Sequence, residues 1–117
     1  MALSPRYARA QTNLGIVYRE QGEAERAARA FRAALRAEPQ MVEALSNLGL
    51  VLAGKGQLDE AVELFSRAVG IDPGRAEVWL NLGLAYRDQG RMDDAFEALS
   101  RAIQLKPELK QRFPVAP

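Results

Sequence analysis

The 117-residue chain contains no cysteine and no histidine. The first absence removes disulfides, thiol nucleophiles and thiolate metal ligands. The second removes imidazole ligands and every histidine-dependent catalytic triad. An excess of one charge is missing too: 16 Lys and Arg stand against 15 Asp and Glu, a net charge of +1. No block of like charge interrupts that balance, which argues against a nucleic-acid or membrane-surface binder. Apolar runs stay far short of the roughly 18 residues a membrane span needs. The start Met1-Ala2-Leu3-Ser4-Pro5 lacks a basic segment followed by an apolar run, so it does not read as a secretory signal. These absences predict a cytoplasmic protein with no metal, no cofactor, no nucleic-acid partner and no membrane insertion. A hydrophobic content of 48% and a charged content of 26% are ordinary for a folded chain. The Arg- and Ala-rich composition reads as bacterial.

What the chain does have is periodicity. Proline falls at Pro5, Pro39, Pro73 and Pro107, a spacing of 34 residues. Asn13-Leu14-Gly15 returns as Asn47-Leu48-Gly49 and as Asn81-Leu82-Gly83. Gly22, Gly56 and Gly90 keep the same phase, as do Ala27, Ala61 and Ala95, and Ala34, Ala68 and Ala102. A unit copied this way builds a stacked array, and such arrays bind partners more often than they catalyse.

Each unit reads as two helices. In the second, Leu45, Leu48, Gly49 and Leu52 share one face at helical spacing. Gly54 and Gly56 break that run. A second amphipathic stretch follows, from Leu58 to Ile71, and Asp72-Pro73-Gly74 closes the unit. The pattern predicts helices over 8–21, 24–37, 42–54, 58–71, 76–89 and 92–105, with no strand. Short connections force consecutive helices into antiparallel contact.

Gly15, Gly49 and Gly83 lie inside first helices, where glycine costs about 1 kcal/mol relative to alanine. Their recurrence predicts a close helix approach, with Ala27, Ala61 and Ala95 as the opposing surface. Tyr18, Leu52 and Tyr86, with Phe31, Phe65 and Leu99, are expected to fill the remaining space, and Trp79 reads as core. Acidic residues open the second helices: Glu25, Asp59-Glu60 and Asp93-Asp94. Carboxylates in a first helical turn are stabilised by the helix dipole, so these pairs read as structural, not catalytic.

The succession Trp79, Leu82, Gly83, Tyr86, Gly90, Ala95, Leu99, Ala102 and Pro107 resembles the tetratricopeptide repeat. Leu99 and Leu52 stand where that family usually has an aromatic and a tyrosine, and Gln11 and Leu45 where it has tryptophan. The resemblance covers residues 8 to 107. It implies an all-α fold, a right-handed superhelical solenoid of antiparallel helix pairs. The repeats would be 8–41, 42–75 and 76–109, preceded by 1–7 as the tail of a further repeat and followed by 110–117 as a short tail. The chain then reads either as a piece of a longer protein or as a small protein with poorly covered ends.

The resemblance also implies that first helices line a concave groove. By phase this face holds Arg9, Thr12, Asn13, Ile16, Arg19 and Glu20; then Glu43, Ser46, Asn47, Leu50 and Ala53; then Glu77, Leu80, Asn81, Leu84, Arg87 and Asp88. An amide side chain both donates and accepts, so a row of Asn13, Asn47 and Asn81 suits a peptide backbone of any sequence. The alternative is that each Asn bonds its own array. The row is similar to the asparagine ladder of O-linked N-acetylglucosamine transferase repeats. The carboxylate clamp of chaperone adaptors is matched only at Asn47: Thr12, Ile16, Glu77 and Asn81 stand where its Lys, Asn and Arg are needed, and Glu77 has the wrong sign, so an acidic chaperone tail is not the expected ligand.

These features point to a non-catalytic protein-interaction module for a peptide or partner helix, with roughly micromolar affinity. Asn13, Asn47, Asn81, Ile16, Leu50, Leu80, Leu84, Arg19, Arg87, Thr12 and Ser46 are its expected contacts. One alternative is a self-assembling scaffold, a homo-oligomer stacked end to end through uncovered faces, with Leu109, Phe113, Pro114 and Val115 reaching into a neighbour's groove. Another is the targeting arm of an enzyme whose catalytic domain lies elsewhere.

Overall fold

Three glycines set the hairpins. Gly22, Gly56 and Gly90 have φ of 78°, 79° and 81°, a left-handed conformation that costs other residues about 1–2 kcal/mol. Each ends a helix in the same way. Gly22 N–H donates to the Arg19 carbonyl (3.0 Å), and the next amide, Glu23, reaches back to Tyr18 (2.8 Å). Gly56 and Gln57, and Gly90 and Arg91, repeat this double closure. The prolines set the other boundary. The residue before a proline is pushed out of the helical region, and Glu38, Asp72 and Lys106 are extended, with ψ of 91°, 86° and 87°.

The computed structural model describes residues 4–112. Six α-helices result: α1 (Pro5–Glu20), α2 (Ala24–Ala37), α3 (Val42–Gly54), α4 (Leu58–Ile71), α5 (Ala76–Asp88) and α6 (Met92–Leu105). A 3₁₀ turn, Pro107–Gln111, follows. No strand occurs among the described residues. Each helix packs on the next, and α3 also touches α1 and α5. The molecule measures 53 × 25 × 22 Å. A 14-residue helix is about 21 Å long, so the helices lie across the long axis and the repeats stack along it.

Helix α1 begins three residues before the expected position, so Pro5–Tyr7 are helical. Proline is well suited to a first helical position, and the Ser4 hydroxyl accepts from the Tyr7 amide at 3.3 Å. Pro39 and Pro73, held between two packed helices, sit in turns instead.

The nearest neighbours of the recurrent in-helix glycines are the large residues of the second helices, while Ala27, Ala61 and Ala95 are buried. A Cβ on Gly15 would lie 2.5 Å from the Phe31 ring, and one on Gly49 2.6 Å from Phe65. On Gly83 it would meet Leu99 at 2.7 Å. Helices cross closely because the large residue of the second helix rests directly on the bare backbone of the first. Phe31, Leu45, Leu52 and Phe65 anchor one continuous core with Val62, Leu82 and Ala85. Trp79 is half-buried against it and donates its indole N–H to the Pro73 carbonyl (2.8 Å).

Candidate functional site

The contacts between α1, α3 and α5 place the first helices in one row. Each helix carries one of the expected asparagines, followed three residues later by Ile16, Leu50 or Leu84. Asn13 is exposed, Asn81 is half-exposed, and neither side chain has a partner among the described residues. Ile16 and Leu84 are half-buried and Leu50 is exposed. A free amide line beside an apolar line is therefore present at the first and third repeats.

Asn47 differs. Its Oδ1 accepts from Arg19 at 2.6 Å, and its Nδ2 donates to the Glu43 carbonyl at 2.8 Å. Two residues expected to face a ligand thus satisfy each other across the boundary between repeats. In phase with Arg19, the second repeat has Ala53, which offers Asn81 nothing. Arg87, the third member of that series, bends to its neighbour Asp88 through two contacts of 3.2 Å.

Thr12 and Leu80 leave the site. Thr12 is 0% exposed, and its hydroxyl donates to the Ala8 carbonyl (2.8 Å) and lies 3.3 Å from Met41 Sδ. Leu80 is 3% exposed in a cluster with Ala102 and Leu109. One residue along a helix is a rotation of about 100°, so these positions turn inward, Thr12 toward the start of α3 and Leu80 toward α6 and the 3₁₀ turn, while Asn13 and Asn81 stay accessible. Ser46, in the same phase, is half-buried and donates to the Glu43 carbonyl (3.3 Å). Leu109, expected to enter a neighbour's groove, is 2% exposed and packs on Leu80 and Ala102 of its own chain; Phe113, Pro114 and Val115 lie outside the described residues.

Two clefts were not foreseen. One, of about 610 Å³, is lined by Gly56, Gln57, Leu58, Asp59, Glu60, Gln89 and Arg91. Its counterpart at the other junction, of about 230 Å³, includes Arg19, Gly22, Ala24, Leu50 and Lys55. Each cleft is bordered by one contact between repeats: Gln89 donates to Asp59 at 2.7 Å, and Lys55 pairs with Glu25. The signal was present in the phase of Gln21, Lys55 and Gln89 against Glu25, Asp59 and Asp93. The Lys55 hydrogen bond, with its charge, holds the Glu25 carboxyl below the usual value. Asp72 is lowered as well, first by the Arg75 hydrogen bond and then by the Gly74 amide, which fixes a turn. The Gln89 Oε1 is buried without a partner. Among the described residues, no cluster of carboxylates could hold a metal ion, and no helix is long and apolar enough to cross a membrane.

Two family profiles, both described as tetratricopeptide repeat, match residues 12–76 and 52–111. The chain is a tetratricopeptide-repeat (TPR) protein. No curated protein matches it by sequence. Among solved structures, this TPR array is similar to an O-GlcNAc transferase mutant from Thermobaculum terrenum (28% identity, TM-score 0.86, covering 92% of this chain and 21% of that one). It is also similar to YrrB, described as a TPR protein with an unusual peptide-binding site (29% identity, TM-score 0.81, covering 86% of this chain and 52% of that one). MamA matches at 27% identity and a TM-score of 0.82, covering 93% of this chain and 64% of that one. The TPR array thus spans less than two thirds of each of these molecules. Its fold is that of a protein-interaction module.

Proposed function

We propose that the TPR array holds an extended peptide, or a helix of a partner protein, along the row formed by α1, α3 and α5, without catalysing a reaction. The observation that carries this reading is the pair of unpartnered amides, Asn13 and Asn81, beside Ile16, Leu50 and Leu84. Amides that can donate and accept together suit a peptide backbone, and the apolar line supplies burial for side chains. The similarity to YrrB, a TPR protein with a peptide-binding site, supports it. Arg87 borders the row as an exposed cation and would select for acidic side chains. Asn47 contributes through its position more than its amide, which Arg19 already occupies.

The test is a peptide-library screen followed by calorimetry on the wild type and on Asn13→Ala/Asn81→Ala. Two hydrogen bonds at about 1 kcal/mol each predict a loss of roughly ten-fold or more across unrelated peptides. A folded double variant that keeps full affinity would remove the backbone-reading role.

A further inference from the structure

The two ends of the array are halves of an interface that already exists twice inside it. In α3 and α5, Leu48 and Leu82 are buried in the core shared with the preceding repeat, as are Val51 and Ala85. Leu48 is 4% exposed, whereas Leu14, its counterpart in α1, is 42% exposed. The other end mirrors this. Val62 is 9% exposed beneath the following repeat, whereas Phe96, in phase with it on α6, is 60% exposed. The residue in that phase in the first repeat, Ala28, is likewise buried, at 1% exposed, so Phe96 is the one member of the series left uncovered.

The polar contacts are halved in the same register. Lys55–Glu25 and Gln89–Asp59 join successive repeats. The remaining members of those series, Gln21 at one end and Asp93 at the other, have no side-chain partner among the described residues. The rims differ in charge in the sense docking needs: Arg26 and Arg29 border the cleft beside Leu14, and two carboxylates, Asp93 and Glu97, against one cation, Arg101, border the cleft beside Phe96.

We infer that a second copy of this chain docks head to tail, its α1 packing on α6 as α3 packs on α2. Pro107 lies three periods of 34 residues after Pro5, so the docked copy would bring Pro5–Arg9 into the place of the 3₁₀ turn Pro107–Gln111. That turn is held chiefly by Leu109, which sits on Leu80 and Ala102. It therefore acts as a built-in competitor, and docking requires it to lift. The contact is heterologous: every copy keeps one free head and one free tail.

Sedimentation of the full chain over a concentration series tests this. The expected result is mass that grows with concentration and falls back as salt rises. Leu109→Asp, which weakens the competitor, should lower the half-assembly concentration roughly ten-fold, the equivalent of one leucine side chain no longer buried. Leu14→Asp and Phe96→Asp alter exposed positions, so both should keep wild-type helicity and melting. Each alone should be monomeric, and an equimolar mixture should form dimers and nothing larger, because one intact head meets one intact tail. The inference is overturned if wild type and Leu109→Asp both stay monomeric to millimolar concentration, or if the mixture remains monomeric. Dimers formed by Phe96→Asp alone would overturn it too, since they would show a different interface.

Discussion

The two internal junctions share an apolar layer and one polar register, and differ in their other polar contacts. Between the first and second repeats, Thr12 meets Met41, Arg19 bonds Asn47 and Lys55 pairs with Glu25. Between the second and third, Gln89–Asp59 is the surviving member of that set. Ser46 turns to its own helix, and Ala53 leaves Asn81 open. Stacking thus depends on the shared apolar core, while the aromatic resting on glycine joins the two helices within a repeat. The polar positions are free to close the row at one junction and leave it open at the next.

If the apolar layers are equivalent, Phe31→Ala and Phe65→Ala should each cost about 3–5 kcal/mol in urea unfolding. A difference beyond about 1 kcal/mol between them would end the equivalence. Gly15→Ala and Gly49→Ala test the close approach beneath those rings. Overpacking should cost about 1–3 kcal/mol, and as much at Gly83, where the added carbon would meet the Leu99 amide nitrogen at 3.2 Å as well as its side chain.

The same comparison shows what the sequence disclosed. The period of 34 placed the helices because each boundary has a local cause: a glycine that adopts positive φ, or a proline that forbids helix one residue earlier. Helix α1 escaped because the same proline signal has two outcomes, a turn when a packed helix precedes it and a helix start when Ser4 can cap it. Thr12 and Leu80 were placed on the open face by phase alone, and one step of rotation turns them inward. Asn47 was legible as a row member but not as a closed one. Its partner Arg19 lies 28 residues away in sequence, and nothing local in the chain couples the two.

Exchanging the polar sets sharpens the contrast further. Arg19→Ala should free the Asn47 acceptor and raise peptide affinity about five-fold, the worth of roughly one hydrogen bond. The converse, Ala53→Arg, should occupy Asn81 and lower it by a similar factor; calorimetry with a selected peptide reads both. No change in either direction would show that the asparagine row does not touch the ligand backbone.

The smallest effect lies at the rim. Glu25 is held below its ordinary value of 4.5 by Lys55. A depressed carboxylate stabilises the fold fully above the unfolded value and loses that contribution as pH falls through the lowered one. Lys55→Gln gives the first junction a pair like that of the second. It should flatten the dependence of melting temperature on pH below 4.5, and on salt near neutrality. An unchanged acid limb in thermal melts would mean that this exposed pair contributes nothing measurable.

Because each helix packs on its immediate successor, with α3 also touching α1 and α5, no contact among the described residues joins helices further apart in the chain than alternate ones. Little loop entropy has to be lost before a contact forms, so such a chain has no topological reason to fold slowly. Any repeat pair is a possible nucleus, and growth can proceed in either direction from it. A fault in one repeat therefore interrupts the array at that point and leaves the other units able to form.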